Sequence, residues 1–341
     1  MKERPAMAVF LTRDQLPAVL AASAERGPTW VAAGRGEDSG FIPYRPGLCL
    51  DREAGPTRRT LKEVFFPRAE VLFGYATVDG VPRLQPAEPS GQPMVVFGVR
   101  PCDARALALL DPVFEEPPHV DGLWAGRRQA ATLVGLGCDR PGPACFCPAA
   151  GGDPLGEEGL DVLLVPVDGG YLVRPLTERG RAWTEPLGLP PARPEQQAAA
   201  EAVAARARER LAGSPPVDLQ ATLARGFEHA LWDRLHERCL GCAACTYLCP
   251  TCHCFDVGDE DGRRWRRWDS CMFPAFTLHA SGHNPRTTGK ERMRQRLMHK
   301  FCYYPERRGR PACVGCGRCV EICPANVDLR SVLDQLKGVR A

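Results

Sequence analysis

The sequence predicts an α/β N-terminal domain followed by an α+β C-terminal domain, and three observations carry that division. Across the first half, short apolar runs rich in β-branched residues alternate with helical stretches and Gly/Pro turns, the pattern of a mostly parallel sheet covered by helices. Around 186–217 the composition turns to Pro, Ala, Glu and Arg. Beyond that point cysteines crowd into two similar stretches separated by a basic segment. At 341 residues the chain is long enough for more than one hydrophobic core. We therefore expect an α/β domain over 1–185, a helical connector over 186–217 and, since the run C-x2-C-x2-C-x3-C-P occurs on either side of a basic insertion at 255–312, a two-[4Fe-4S] ferredoxin-like C-terminal domain over 218–341.

Taken in order, the expected strands of the first domain are "MAVFL" (7–11), "WVAAG" (30–34), "MVVFGV" (94–99), "ATLVGL" (131–136) and "DVLLVPV" (161–167). The best early helix is "RDQLPAVLAASAER", stopped by Gly27. "GRGEDSG" at 34–40 lacks the G-x-G-x-x-G spacing and reads as a turn, not a nucleotide loop. "PEQQAAAEAVAARARERLAG" begins at Pro194 and ends at Gly213, which predicts an exposed connecting helix. Asp218 then offers an N-cap, and Leu219, Leu223, Phe227, Leu231 and Leu235 lie four apart on one face of a helix that delivers the chain to Cys239. No stretch approaches the ~18 apolar residues needed to span a bilayer, and the N-terminus lacks an export signal. The expectation is a cytoplasmic protein. Seventeen cysteines in a reducing compartment point to metal binding or redox chemistry instead of disulfides.

The cysteine spacing is specific. Cys239, Cys242, Cys245 and Cys249 with Pro250 follow C-x2-C-x2-C-x3-C-P, and Cys313, Cys316, Cys319 and Cys323 with Pro324 repeat it. Bacterial ferredoxins hold two 4Fe-4S clusters with this spacing, the fourth cysteine of each run ligating the other cluster. The expected sets are thus crossed: Cys239, Cys242, Cys245 and Cys323 on one cluster, Cys313, Cys316, Cys319 and Cys249 on the second. Gly241, Ala243, Ala244, Gly315 and Gly317 are small enough to let backbone amides approach the sulfurs. A pair of zinc sites would use two separated C-x2-C knuckles and has no need of a third evenly spaced cysteine.

Nine cysteines remain. Cys102, Cys138, Cys145 and Cys147 lie at or just past the ends of expected strands, where α/β folds place their sites, and are candidates for a third cluster. Cys252 and Cys254 could meet Cys271 and Cys302, although a structural role or support of a neighbouring ligand is the expectation for them. Cys49 stands alone. The net charge is only +3, yet residues 262–310 carry thirteen Arg or Lys against three acids. Interleaved Arg and Trp there raise a nucleic-acid-binding alternative; the preferred reading is charge compensation of anionic thiolate-ligated iron and docking of an acidic or phosphate-bearing partner. His279, His283 and His299 read as structural histidines.

"FGVRPCDARALALLDPVF", "VGLGCDRPGPACFC", "CLGCAACTYLCPTCHCFDV", "RRWDSCMFPAFTLHASGHNPR" and "CVGCGRCVEICPANVDL", in that order, resemble the iron-sulfur beta subunit of cytosolic NiFe hydrogenases of the sulfhydrogenase type, and the related iron-sulfur subunit of anaerobic sulfite reductase. The resemblance spans about 90–330. It implies a non-catalytic iron-sulfur relay, with no residue acting as acid, base or nucleophile. Its implied partners are a flavin- and NAD(P)-binding subunit, together with a catalytic hydrogenase or reductase subunit. The family pattern includes Cys102, Cys138, Cys145 and Cys147, but no cysteine is expected at Cys302.

Overall fold

The computed structural model describes residues 7–48, 55–88, 91–211 and 219–337. Cys49, Gly213 and Asp218 lie outside them. In chain order the strands are β1 (Val9–Thr12), β2 (Thr29–Ala33), β3 (Gly40–Pro43), β4 (Ala69–Val78), β5 (Val81–Pro86), β6 (Met94–Val99), β7 (Ala131–Leu136), β8 (Val162–Val167), β9 (Gly170–Pro175), β10 (Phe255–Glu260) and β11 (Arg263–Trp268). They form two sheets, and the chain divides into two compact units, each containing one of them.

The first unit comprises Met1–Phe65, Pro89–Ser214 and the short strip Val314–Cys316. Its seven-stranded sheet runs β1-β9-β8-β7-β6-β2-β3. The four strands β2, β6, β7 and β8 pair in parallel, and antiparallel pairings add β3 at one side and β9 and β1 at the other. The sheet is mixed, where the sequence suggests a mostly parallel one. Its parallel centre is apolar because helices cover parallel strands on both faces; Val31, Phe97, Val134, Val162 and Leu164 are buried in one cluster with Leu16, Leu20 and Trp183. Trp183 satisfies its indole by donating from Nε1 to Ser23 Oγ at 3.2 Å.

Local chemistry explains the punctuation. Gly27 ends the helix Leu16–Arg26 with an extended backbone, and a Cβ there would meet the Pro93 carbonyl oxygen at 2.8 Å, so close approach demands the glycine. "GRGEDSG" folds as a tight turn between β2 and β3 containing the 3-10 segment Gly36–Asp38. Gly98, at φ 83°, coincides with a register shift in β6 between Phe97 and Val99. Such a bulge re-aims the strand end, and here it leads directly into Arg100 and the helix Pro101–Phe114. The Ala-rich helix Pro194–Glu209 packs on β8 and β9, burying Ala200, Ala204 and Ala207, so only its other face is the exposed surface expected of a connector.

The second unit comprises Phe66–Glu88, Pro215–Cys313 and Gly317–Ala341. Its antiparallel sheet runs β10-β11-β4-β5. The leucine stripe after residue 218 forms two helices, Leu219–Arg225 and Leu231–Arg238, where the periodicity predicts one. The break falls at Gly226, whose carbonyl accepts from Trp232 Nε1 at 2.8 Å. Glycine is a poor helix interior residue, and the indole supplies the partner that the interrupted ladder loses. Leu219, Leu223, Leu231 and Leu235 are buried as the stripe requires.

The Arg/Trp segment of the insertion is β11. Alternation places Arg266 and Trp268 on its buried face, with Arg263 and Arg267 exposed. Arg266 pairs with Glu70 of β4 at 2.5 Å and stacks over the Phe66 ring at 4.8 Å. Arg264 pairs with Asp259 at 2.6 Å, and Arg267 with Glu260. Arg264, Arg266 and Arg267 are thus engaged by carboxylates of their own sheet, which offsets part of the positive charge behind the nucleic-acid alternative. No helix among the described residues is long and apolar enough to cross a membrane.

Candidate metal centres

Each ferredoxin-type cysteine run adopts the same backbone. Gly241 and Ala243 flank Cys242 with φ of 67° and 63°; Gly315 and Gly317 flank Cys316 with φ of 64° and 78°. Two left-handed residues in three curl the chain around a point, a conformation cheap for glycine and costly by about 1 kcal/mol for an alanine. The second left-handed residue of each run is the N-cap of a short helix, Ala244–Tyr247 or Arg318–Glu321. Cys245 and Cys319 sit in those helices, and Cys249 and Cys323 follow them. Equivalent backbone bonds close both turns, Cys249 N to Thr246 O at 3.2 Å and Cys323 N to Val320 O at 3.4 Å. The two helices pack on each other.

This packing brings the first expected set together within the second unit. Cys239, Cys242, Cys245 and Cys323 line one cavity, with Cys319, Met272, Met293, Leu297 and Val332. Two backbone amides reach the sulfurs, Gly241 N to Cys239 Sγ at 3.4 Å and Val327 N to Cys323 Sγ at 3.2 Å. Burial raises the Cys239 thiol, the Gly241 amide opposes that shift, and Cys245 and Cys323 add to it. Cys323 is therefore a neighbour of Cys239, as crossed ligation requires. In the second set, burial pushes the Cys319 thiol up to about 12, against the pull of Arg296 and with the help of Cys313, Cys249 and Cys245. Cys249, Cys313 and Cys319 thus lie near one another in the second unit. Cys316 belongs to the strip grouped with the first unit, and its place in the set follows from the repeat alone.

The surroundings of these thiols suit an anionic group. Lys300, buried in the segment His299–Tyr303, donates from Nζ to Cys249 Sγ at 3.3 Å, Thr251 Oγ1 at 3.0 Å and the Ala312 carbonyl at 3.1 Å. Burial opposes its charge, and the thiols of Cys249, Cys252 and Cys313 more than offset that cost. Arg296 is 6% exposed and lines the first cavity, yet its Nε and Nη2 have no hydrogen-bond partner. Leaving two buried donors of a guanidinium unmatched is expensive, and a thiolate-ligated iron-sulfur cluster is the kind of neighbour that would satisfy them. Among the described residues no three Cys, His, Asp or Glu side chains converge as one metal ion requires. A cluster makes no such demand, since each thiolate grips its own corner.

The surplus cysteines fall at the foot of the β10–β11 hairpin. Its register pairs Phe255 with Trp268, which sets Cys252 and Cys254 beside Cys271. The Cys254 and Cys271 thiols are hydrogen-bonded, as are those of Cys249 and Cys252. The bond from Cys252 is the main cause holding the Cys249 thiol well below its ordinary value, with Lys300 and Thr251 adding to it. Cys252 therefore acts directly on Cys249, one of the expected ligands. Cys302 is buried, and burial raises its thiol. His279 and His283 pack edge to face at 5.3 Å, and His299 packs against His253 at 5.5 Å.

In the first unit the third candidate set collects beyond β6 and β7. Cys102 lies in the first turn of Pro101–Phe114, Cys138 two residues past β7, and Cys145 and Cys147 in the following loop. Burial pushes the Cys147 thiol up to about 12, with Cys138, Cys145 and Asp153 contributing. Cys102 and Cys147 line one cavity with Arg105. Burial also raises Cys138, against the nearby Arg100, which itself donates from Nη1 to the Gly137 carbonyl at 3.1 Å. The strip Val314–Cys316 packs here too, with Phe146 N donating to Gly315 O at 2.8 Å and Cys145 Sγ to Cys316 O at 3.7 Å.

Arg296 and Lys300 are the residues that sequence reasoning did not single out. Their only signal was membership of the basic block, where nothing separates a buried cation from a solvated one. Comparison with known proteins agrees with the geometry. Residues 238–327 match the family of the 4Fe-4S dicluster domain, which brings two such clusters. The sulfhydrogenase 2 subunit beta of Pyrococcus furiosus is 34% identical over 251 residues, covering 71% of this chain and 74% of that protein. With the doubled thiolate loop and a relative of that extent, the chain belongs to the sulfhydrogenase beta-subunit family of iron-sulfur proteins.

Proposed function

We propose that this chain is the electron relay of a cytoplasmic oxidoreductase complex, exchanging electrons with a flavin- and NAD(P)-binding subunit on one side and with a catalytic hydrogenase or sulfur-reducing subunit on the other. The observation that carries the reading is the pair of matching cysteine loops, the fourth thiol of each lying near thiols of the other, set beside buried cations. The ligands are Cys239, Cys242, Cys245 and Cys323 for one 4Fe-4S cluster and Cys313, Cys316, Cys319 and Cys249 for the other. When bound, the clusters supply one-electron steps over a broad range of potentials. The chain's own residues hold and tune them: the Gly241 and Val327 amides and Lys300 donate to ligand sulfurs, and Met272, Met293, Leu297 and Val332 exclude water from one set. No side chain is assigned as acid, base or nucleophile.

Cys102, Cys138, Cys145 and Cys147 are the proposed ligands of a third cluster, supported by their convergence beyond β6 and β7. Iron and acid-labile sulfide per chain, measured on anaerobically prepared protein with EPR of the reduced form, test both statements. About eight iron corresponds to two clusters and about twelve to three; colourless, iron-free protein that still supports electron transfer refutes the relay. The metal of the co-purifying catalytic subunit identifies the terminal acceptor, nickel for a hydrogenase and siroheme for the sulfite-reducing alternative.

A further inference from the structure

Helix Gly289–Met298 carries two buried cations toward its end and just beyond it, and they are not equivalent. Lys300 has three hydrogen-bond acceptors, one of them Cys249 Sγ. Arg296 leaves Nε and Nη2 without a partner. Its position is also different: it lines the cavity of Cys239, Cys242, Cys245 and Cys323, and Cys319 of the other set lines the same cavity. Electrostatically it acts on Cys239 and Cys245 of the first set and on Cys249 and Cys319 of the second. The walls around it are Met272, Met293 and Leu297, each at most 2% exposed, so its field is poorly screened.

We propose that Arg296 is a shared counter-charge that sets the reduction potentials of both ferredoxin-type centres together, while Lys300 tunes only the centre that contains Cys249. This inference rests on the cluster assignment proposed above. Adding an electron makes a thiolate-ligated centre more negative, so a nearby fixed positive charge favours the reduced state, and net charge and hydrogen bonds to sulfur are among the levers on such potentials. Arginine suits the task because its charge persists at any working pH and its planar fork can donate in two directions at once. Removing it should shift both centres to lower potential. Removing Lys300 should shift one.

The test uses the full-length chain prepared anaerobically, as wild type, R296M, R296K and K300M. Iron and sulfide are counted first, and redox titrations followed by EPR then resolve the two centres. R296M that keeps its iron should show both signals displaced to more negative potential. R296K, which keeps the charge, should return both signals most of the way, and K300M should displace one signal alone. If R296M loses its clusters, R296K decides: cluster retention with potentials near wild type supports the proposal. An R296M protein with full iron and unchanged potentials overturns it, as does displacement of one signal only, or an R296K protein as altered as R296M. Wild-type protein that lacks iron and sulfide would instead sink the cluster assignment on which the proposal stands.

Discussion

Crossed ligation makes a quantitative prediction through pairs of substitutions. In the structure, Cys323 acts on Cys239 and shares its cavity, whereas Cys249 acts on Cys319 and is held by Lys300. Removing Cys239 and Cys323 together therefore damages one centre twice, and removing Cys239 and Cys249 damages both centres once. If losing a ligand empties its cluster, C239S/C323S keeps the second ferredoxin-type cluster and C239S/C249S keeps neither. Counting only these two centres, the first variant retains about four of about eight iron and the second almost none. Uncrossed ligation reverses the two results. The assay is iron and sulfide per chain on anaerobic protein, with EPR of the reduced form to count the interacting centres. The N-terminal set, if filled, adds the same amount to both variants and leaves the difference intact. A C239S/C249S protein richer in iron than C239S/C323S would refute the crossed assignment.

Three further outcomes are expected. The buried Arg266–Glu70 pair should make E70Q lose about 3–5 kcal/mol, the range for stranding one partner of a buried ion pair, whereas replacing both by apolar residues should cost much less; denaturation followed by tryptophan emission measures this, since Trp265 and Trp268 lie on β11, and a loss below about 1 kcal/mol would contradict it. Burial, with His253 and Lys300 nearby, lowers the His299 pKa from 6.5 to about 4. The unfolded chain then takes up the proton first, so this contribution is complete above about pH 6.5 and is lost as pH falls toward 4, by at most about 3 kcal/mol; H299Q should flatten that part of the stability profile, and an unchanged slope rules the histidine out. Gly315 at φ 64° would place a Cβ 2.6 Å from the Cys147 Cα, so G315A should cost at least about 2 kcal/mol through backbone strain and overlap, visible as a lowered melting temperature; a melting temperature equal to wild type would exclude this contact.

What the sequence made legible follows from how local the signal is. The strands β6 and β7 coincide with apolar runs because parallel central strands are buried on both faces and read as continuous hydrophobic stretches. The exposed hairpins were hidden: β5 is "VPRLQP", exposed throughout and interrupted by prolines, and β10 is "FDVGDE", with no apolar run. Their pairing depends on β4 meeting β11 across nearly two hundred residues, which no local pattern encodes. The eight ferredoxin-type cysteines were readable because cluster ligation imposes a fixed spacing. The contact of Lys300 with Cys249 was not, because it depends on which face of a later helix turns inward, and for Cys252 a supporting role could be expected but not which thiol it would meet.

The crossed arrangement has a mechanical consequence for an electron relay. Under the proposed ligation each loop would contribute three thiols to one centre and one to the other, so the separation of the centres would be set by the packing of helices Ala244–Tyr247 and Arg318–Glu321 and not by flexible linkers. Burial pushes the Cys319 thiol up to about 12, so ligation by it would have to displace a proton and would couple metal affinity both to pH and to folding. Arg296 and Lys300 meet the opposite difficulty, because burying a cation is costly until an anionic group lies beside it. Buried thiols hold their protons and the buried cations lack a full anionic neighbour; loading iron and sulfide would release the first and supply the second, which accounts for Arg296 and Lys300 lying buried while Lys290 and Arg294 of the same stretch pair with Asp233 and Glu228.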